Sequence, residues 1–153
     1  MSRRLPLTTR LTTAAVCAVA LPALLATAVP AAAAGNGRPL TTSLTGAAER
    51  PGPGDPDGSG TARLRVNPGT RVICYDLAVT GIEPATAAHV HVGSRDVAGP
   101  IVLALAAPTS GSSSDCTKVD RDLARDIASN PDDYYVNVHN AENPTGAVRG
   151  QLG

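Results

Sequence analysis

Two of the chain's three histidines stand on alternate residues of one short stretch, His89-Val90-His91-Val92-Gly93. Successive strand side chains point to opposite faces, so in a strand both imidazoles share one face and Val90 and Val92 take the other. The third histidine, His139, ends a similar segment, Tyr134-Tyr135-Val136-Asn137-Val138-His139. Imidazole suits copper and zinc. Two histidines from one strand and a third from a neighbour make an open three-ligand metal site of His89, His91 and His139. The same groups can instead build a structural network, in which His89 and His91 bond backbone groups or a neighbouring strand, with Asn137 and Arg149 in the same polar cluster. Such a network fixes strand register. A ligand-recognition patch on these residues is the third reading. We order them as network first, metal second, patch third. Arg149 belongs to any of the three, because its planar fork can tie carbonyls or a carboxylate across strands. Asp76 and Asp96 are its candidate anionic partners.

Other chemistries are poorly served, and no catalytic residue is assigned. The serines between 110 and 114 lie in a Ser/Gly stretch without a Gly-x-Ser-x-Gly elbow. Asp132 and Asp133 are adjacent and would point oppositely in a strand, which makes a poor acid/base pair. No glycine loop has phosphate-binding spacing. The stretch Asp55-Pro56-Asp57-Gly58-Ser59-Gly60 faintly resembles a calcium loop. It lacks the closing glutamate, since the twelfth position from Asp55 is Val66, and it reads as a solvated turn.

The elements that must hold these side chains are mostly short strands. Leu40 to Ala48 reads as the first. Thr61 to Val66 alternates, with Ala62, Leu64 and Val66 on one face and Arg63 and Arg65 on the other. Asn67-Pro68-Gly69-Thr70 suits a type II turn, with Gly69 taking positive φ, and Arg71 to Val79 returns. Thr86 to Val92 carries the histidine pair. Ile101 to Leu105 is a continuous apolar run and reads as a buried strand. Pro108 to Ser114 reads as a polar loop. Asp120 reads as the N-cap of a helix over 121–129, which Asn130-Pro131 stops. Tyr134 to His139 and Gly146 to Leu152 are the last strands. Short strands with regular turn signals predict an all-β Greek-key β-sandwich with one short helix in a connection.

The beginning of the chain reads as an export signal. Arg3, Arg4 and Arg10 precede an apolar, alanine-rich stretch, and Ala31 to Ala34 offer small-residue cleavage sites. We expect residues 1–34 to be a signal peptide, 35–43 a flexible leader with the start of the first strand, and 44–153 the β domain. Pro22 and Pro30, with so much alanine, argue against a retained membrane span. The signal carries three arginines, so ten basic residues remain against thirteen acidic ones, net −3. With that charge and three tyrosines as the only aromatic residues, nucleic acid is not an expected partner. Of three cysteines, Cys17 leaves with the signal. Cys74 and Cys116 remain as an even pair in an oxidising compartment, and a bridge is preferred to two buried thiols. It closes a loop of about 43 residues and stabilises by about 4 kcal/mol in the chain-entropy account.

Several stretches, in order, resemble the CHRD domain first described in chordin and common in secreted bacterial proteins. They are Leu44-Thr45-Gly46 with Glu49 and Pro51; Gly60 before an alternating strand; Ala88-His89-Val90-His91-Val92-Gly93; Gly99-Pro100-Ile101-Val102; Tyr135-Val136-Asn137-Val138-His139; and Gly146-Ala147-Val148-Arg149-Gly150-Gln151-Leu152. Together they run from about Leu44 to Leu152. The Cys74–Cys116 pair looks like a feature of the bacterial subset. The resemblance implies a β-sandwich outside the cell, not an enzyme, that binds an extracellular protein or glycan or serves the cell envelope structurally, as a monomer. No cofactor is expected on that reading; a copper- or zinc-binding protein is the alternative. The His-Val-His pattern also looks like the copper-binding strand of copper–zinc superoxide dismutases. That family needs more histidines than this chain has, so dismutase activity is not expected.

Overall fold

Alternation of apolar and polar residues is what the strands of this protein are made from. The computed structural model describes residues 37–153; the expected signal peptide, with Cys17, lies outside the described residues. Among these, eight strands form one antiparallel sheet: β1 (Arg38–Thr45), β2 (Ser59–Asn67), β3 (Val72–Thr80), β4 (Ala85–Val92), β5 (Ile101–Leu105), β6 (Ser112–Lys118), β7 (Tyr134–Asn140) and β8 (Val148–Gln151). One α-helix, α1 (Arg121–Ser129), precedes β7. The strand order is β5-β4-β7-β8-β1-β2-β3-β6. The pairs β8–β1, β3–β6 and β4–β7 join strands that are not consecutive in the chain, crossovers of the Greek-key kind. The sheet curls over one aliphatic core into an all-β, sandwich-like and nearly barrel-like fold. The edge strands approach each other where Ser113 Oγ donates to the Ala106 carbonyl at 2.7 Å and the Ala106 N–H donates to Tyr75 Oη at 2.7 Å.

The core follows from the alternation. Leu40 and Leu44 of β1, Ala62, Leu64 and Val66 of β2, and Ile73, Tyr75 and Leu77 of β3 are all buried. Arg63 and Arg65 stand on the wet side. From the other half come Ala88 and Val90 of β4, Val136 and Val138 of β7, and Val148 of β8. Helix α1 spans 121–129 as its sequence predicts and buries Ala124 and Ile127. Tyr134 Oη donates to Asp126 at 2.6 Å and Arg38 donates to the Ala128 carbonyl, which tie the helix to β7 and β1. Burial first, and then the Asp126 carboxylate, push the Tyr134 phenol up to about 12. Asp120 is the N-cap residue, but its side chain makes no cap hydrogen bond. Among the described residues no helix is long and apolar enough to cross a membrane.

Four local expectations are corrected. Arg38 and Pro39, read as leader, belong to β1 and pair with Val66 and Arg65. The β2–β3 turn is not type II: the left-handed residue is Arg71, at φ 61°, and Gly69 is not in that region. Ile101 to Leu105 is a strand at the sheet edge rather than in its middle, so Ile101 stays 54% exposed and only Leu105 is buried. Ser112 to Lys118, read mostly as loop, is the opposite edge strand. It shows no apolar face, so periodicity carries no signal for it. Its ladder with β3 places Cys74 opposite Cys116, and these two form a disulfide.

Candidate functional site

The middle of the sheet has a second buried face. Residues Tyr134 to Val138 of β7 are all buried, and so are Val148 to Gln151 of β8. A parallel-sheet strand reaches such double burial under helices; here the cover is the loop from Gly93 to Pro100. On the face beneath that loop the register builds two rows. His89 is opposite Asn137, which is opposite Arg149; His91 is opposite Tyr135, which is opposite Gln151. His139 lies two residues beyond Asn137 on the same face, opposite Ala87. All five candidate residues, His89, His91, Asn137, His139 and Arg149, therefore stand on one face.

They do not form one contact network of equals. His91 Nδ1 lies 2.8 Å from the Gly99 carbonyl, and His139 Nδ1 lies 3.1 Å from the Pro144 carbonyl. A carbonyl only accepts, so each Nδ1 carries the hydrogen. Asn137 Oδ1 sits between their other nitrogens, 3.0 Å from His91 Nε2 and 3.1 Å from His139 Nε2. His89 joins through His139, Nδ1 to Nε2 at 3.1 Å, and its ring meets His91 edge-on at 5.6 Å. Burial, and then the neighbouring imidazoles, hold His89 below the usual histidine range. Burial also lowers His139, against the opposing bond to Pro144.

Arg149 works on the covering loop. Its Nη1 donates to the Val97 carbonyl at 2.9 Å and its Nη2 to the Ser94 carbonyl at 2.8 Å. The guanidinium also lies 3.4 Å over the Tyr135 ring, whose partner on the β4 side is the His91 imidazole, stacked at 4.7 Å. Gln151 Nε2 donates to the Gly93 and Asp132 carbonyls at 2.8 and 2.7 Å. The Gly99 N–H donates to Tyr135 Oη at 3.0 Å. Gly99 is required there, because a Cβ would collide with the Val92 carbonyl. The loop is thus strapped to the sheet by side chains from three strands. Neither expected anionic partner reaches Arg149. Asp96 pairs with Arg50 at 3.2 Å on the surface, and Asp76 lies on β3 opposite Arg63. The strap carbonyls fill the guanidinium fork instead.

Glu49 is the group least expected here. It is buried; its Oε2 accepts from the Arg50 amide at 3.3 Å while Oε1 has no partner. Burial raises it from the ordinary 4.5 to about 7, against the opposing Arg50 amide bond and the Arg149 charge. Tyr135 and Gln151 were within reach of strand alternation, since Tyr135 stands two residues before Asn137 and Gln151 two after Arg149. Glu49 carried no such signal, because it follows the short 3-10 helix Gly46–Ala48 and only the closure of the sheet brings it under β7. A family model, the CHRD domain, matches residues 40–152. No curated protein and no solved structure gives a significant match.

Proposed function

The chain belongs to the CHRD domain family, and on that premise we propose that it is a secreted, non-catalytic module that binds a protein partner outside the cell through the strap between Gly93 and Pro100. The observation that carries this reading is the clamping of that loop. A buried arginine and a buried glutamine donate four hydrogen bonds to backbone carbonyls, three of them in the loop, while Val97 at its tip stays 49% exposed. A loop held in one shape by a rigid scaffold loses little entropy on binding. Such fixing is costly in polar burial and has no use for packing alone. A protein partner is favoured over a glycan. Sugar rings stack on exposed aromatic faces, and this chain has no Trp or Phe while all three tyrosines are buried. Export is supported by the basic, apolar beginning of the sequence and by the Cys74–Cys116 bridge, which suits an oxidising compartment.

The test is saturable binding of the fluorescently labelled protein to intact cells of the producing strain, before and after surface proteolysis. Binding should vanish on proteolysis and fall at least about tenfold in Val97→Asp, as for loss of a well-buried interface anchor, with an unchanged melting midpoint. Binding indifferent to Val97→Asp, or retention of the protein inside the cell, would overturn the proposal.

A further inference from the structure

The hydrogen bonds of the histidine cluster do not close. His91 and His139 each spend Nδ1–H on a backbone carbonyl, which leaves a lone pair on each Nε2 of the neutral ring. Both lone pairs meet Asn137 Oδ1, at 3.0 and 3.1 Å. As the amide is placed, that oxygen offers neither of them a hydrogen. His89 Nδ1 can supply a hydrogen to His139 Nε2. His91 Nε2 then still faces Asn137 Oδ1 with no hydrogen between them, in a buried place where polar atoms normally find partners. Three imidazole nitrogens and one amide oxygen thus converge within reach of a single cation.

We propose that His89 Nδ1, His91 Nε2 and His139 Nε2 hold one divalent first-row transition-metal ion, Zn²⁺ or Cu²⁺, with Asn137 Oδ1 or water as a further ligand. The three nitrogens lie within 4.8 Å of one another. Metal–nitrogen bonds of about 2.1 Å give ligand separations of about 3.3 Å in a tetrahedral site, and the 3.0–3.1 Å spacings already present are close to that. Small turns of the half-buried His89 and His139 rings bring in the widest pair. The same half-burial leaves a way in from solvent, above the buried His91. The two Nδ1–carbonyl bonds are the kind that set tautomer and ring orientation in histidine metal sites. Calcium and magnesium are disfavoured, since all three ligands are imidazole nitrogens. The site meets the loop only through the His91–Gly99 bond and no ligand lies in the loop, so metal binding and partner binding can each fail alone.

The experiment titrates the purified, metal-free protein, disulfide formed, with Zn²⁺ and with Cu²⁺ against a chromophoric competitor. We expect one ion per chain and a loss of affinity of about 100-fold or more in His89→Ala and in His139→Ala, exceeding what outer partners of a ligand usually contribute. The Cu²⁺ form should show electron-paramagnetic coupling to three nitrogens. His89 carries the decisive test, because its side chain makes no hydrogen bond to the strap and its loss leaves the strap's own bonds in place; circular dichroism checks the fold. No stoichiometric binding, or undiminished binding by folded His89→Ala, means an adventitious ion only and overturns the site.

Discussion

Strands β1, β2 and β3 and strands β4, β7 and β8 are written in much the same alternating pattern, yet they meet different surroundings. In the first group one face is core and the other is water, so Arg63 and Arg65 are solvated cations needing no partner. In the second group β7 and β8 are buried on both faces save the half-buried His139, and the polar groups beneath the loop find their partners within the protein. Arg149, on the second group, is 1% exposed and engages two carbonyls and an aromatic ring. An arginine at alternate strand positions therefore has no fixed energetic meaning. What covers the face decides whether it is a solubilising charge or a clamp, because a buried polar group left without a partner costs far more than a paired one contributes.

Three measurements sharpen that contrast. The largest effect is expected at the edge of the wet half. Strand β6 has no apolar face, and beyond its ladder to β3 it is held by the Cys74–Cys116 bridge and the Ser113–Ala106 bond. Replacing both cysteines by serine removes a cross-link spanning 42 residues and should cost about 4 kcal/mol. Hydrogen exchange should then show β6 amides losing protection while β4 and β7 keep theirs. Unchanged stability would mean that the ladder alone suffices.

Next comes the pair of arginines. Arg149→Met strands the Ser94 and Val97 carbonyls and should cost about 3 kcal/mol in urea unfolding, with the strap becoming proteolytically sensitive. Arg63→Met, on the wet face, should stay within about 0.5 kcal/mol. Equal effects would erase the distinction between the halves. The third measurement is pH dependence. Glu49 has a folded value of about 7 against 4.5, so between those limits the folded state holds the proton more tightly. Its contribution is full below about pH 4.5 and is lost as pH rises through 7. At 1.36 kcal/mol per unit, stability should fall by about 3 kcal/mol over that window. Arg149 and Arg50 face this group and already hold its value down to about 7. Glu49→Gln should flatten the slope; an unaltered slope would place its origin elsewhere.

Much of this architecture was legible beforehand, and the exceptions share a cause. Periodicity located β2, β3, β4, β7 and α1 closely, because each buries one face at a regular spacing. It failed for β6, whose residues Ser112 to Lys118 bury almost nothing, and it misjudged β5, whose apolar run lies at an exposed edge. Both are edge strands, defined by a neighbour rather than by their own pattern. The turn after β2 failed differently: both Gly69 and its neighbours can make a tight turn, and the left-handed conformation fell on Arg71. In the site, alternation alone put His89 with His91 and Asn137 with His139.

The sequence by itself determined which side chains share a strand face, that the chain is a β domain of the CHRD kind, and which two cysteines could pair, since these depend on spacing of two residues or on counting. Only the tertiary structure decided that β7 and β8 are buried on both sides, that Arg149 holds carbonyls rather than Asp96, and that Glu49 lies under Asn137. Those outcomes depend on where the loop between Gly93 and Pro100 and the segment after β1 come to rest. Burial, unlike alternation, is set by groups distant in the chain, and burial is what turns a polar face into a site.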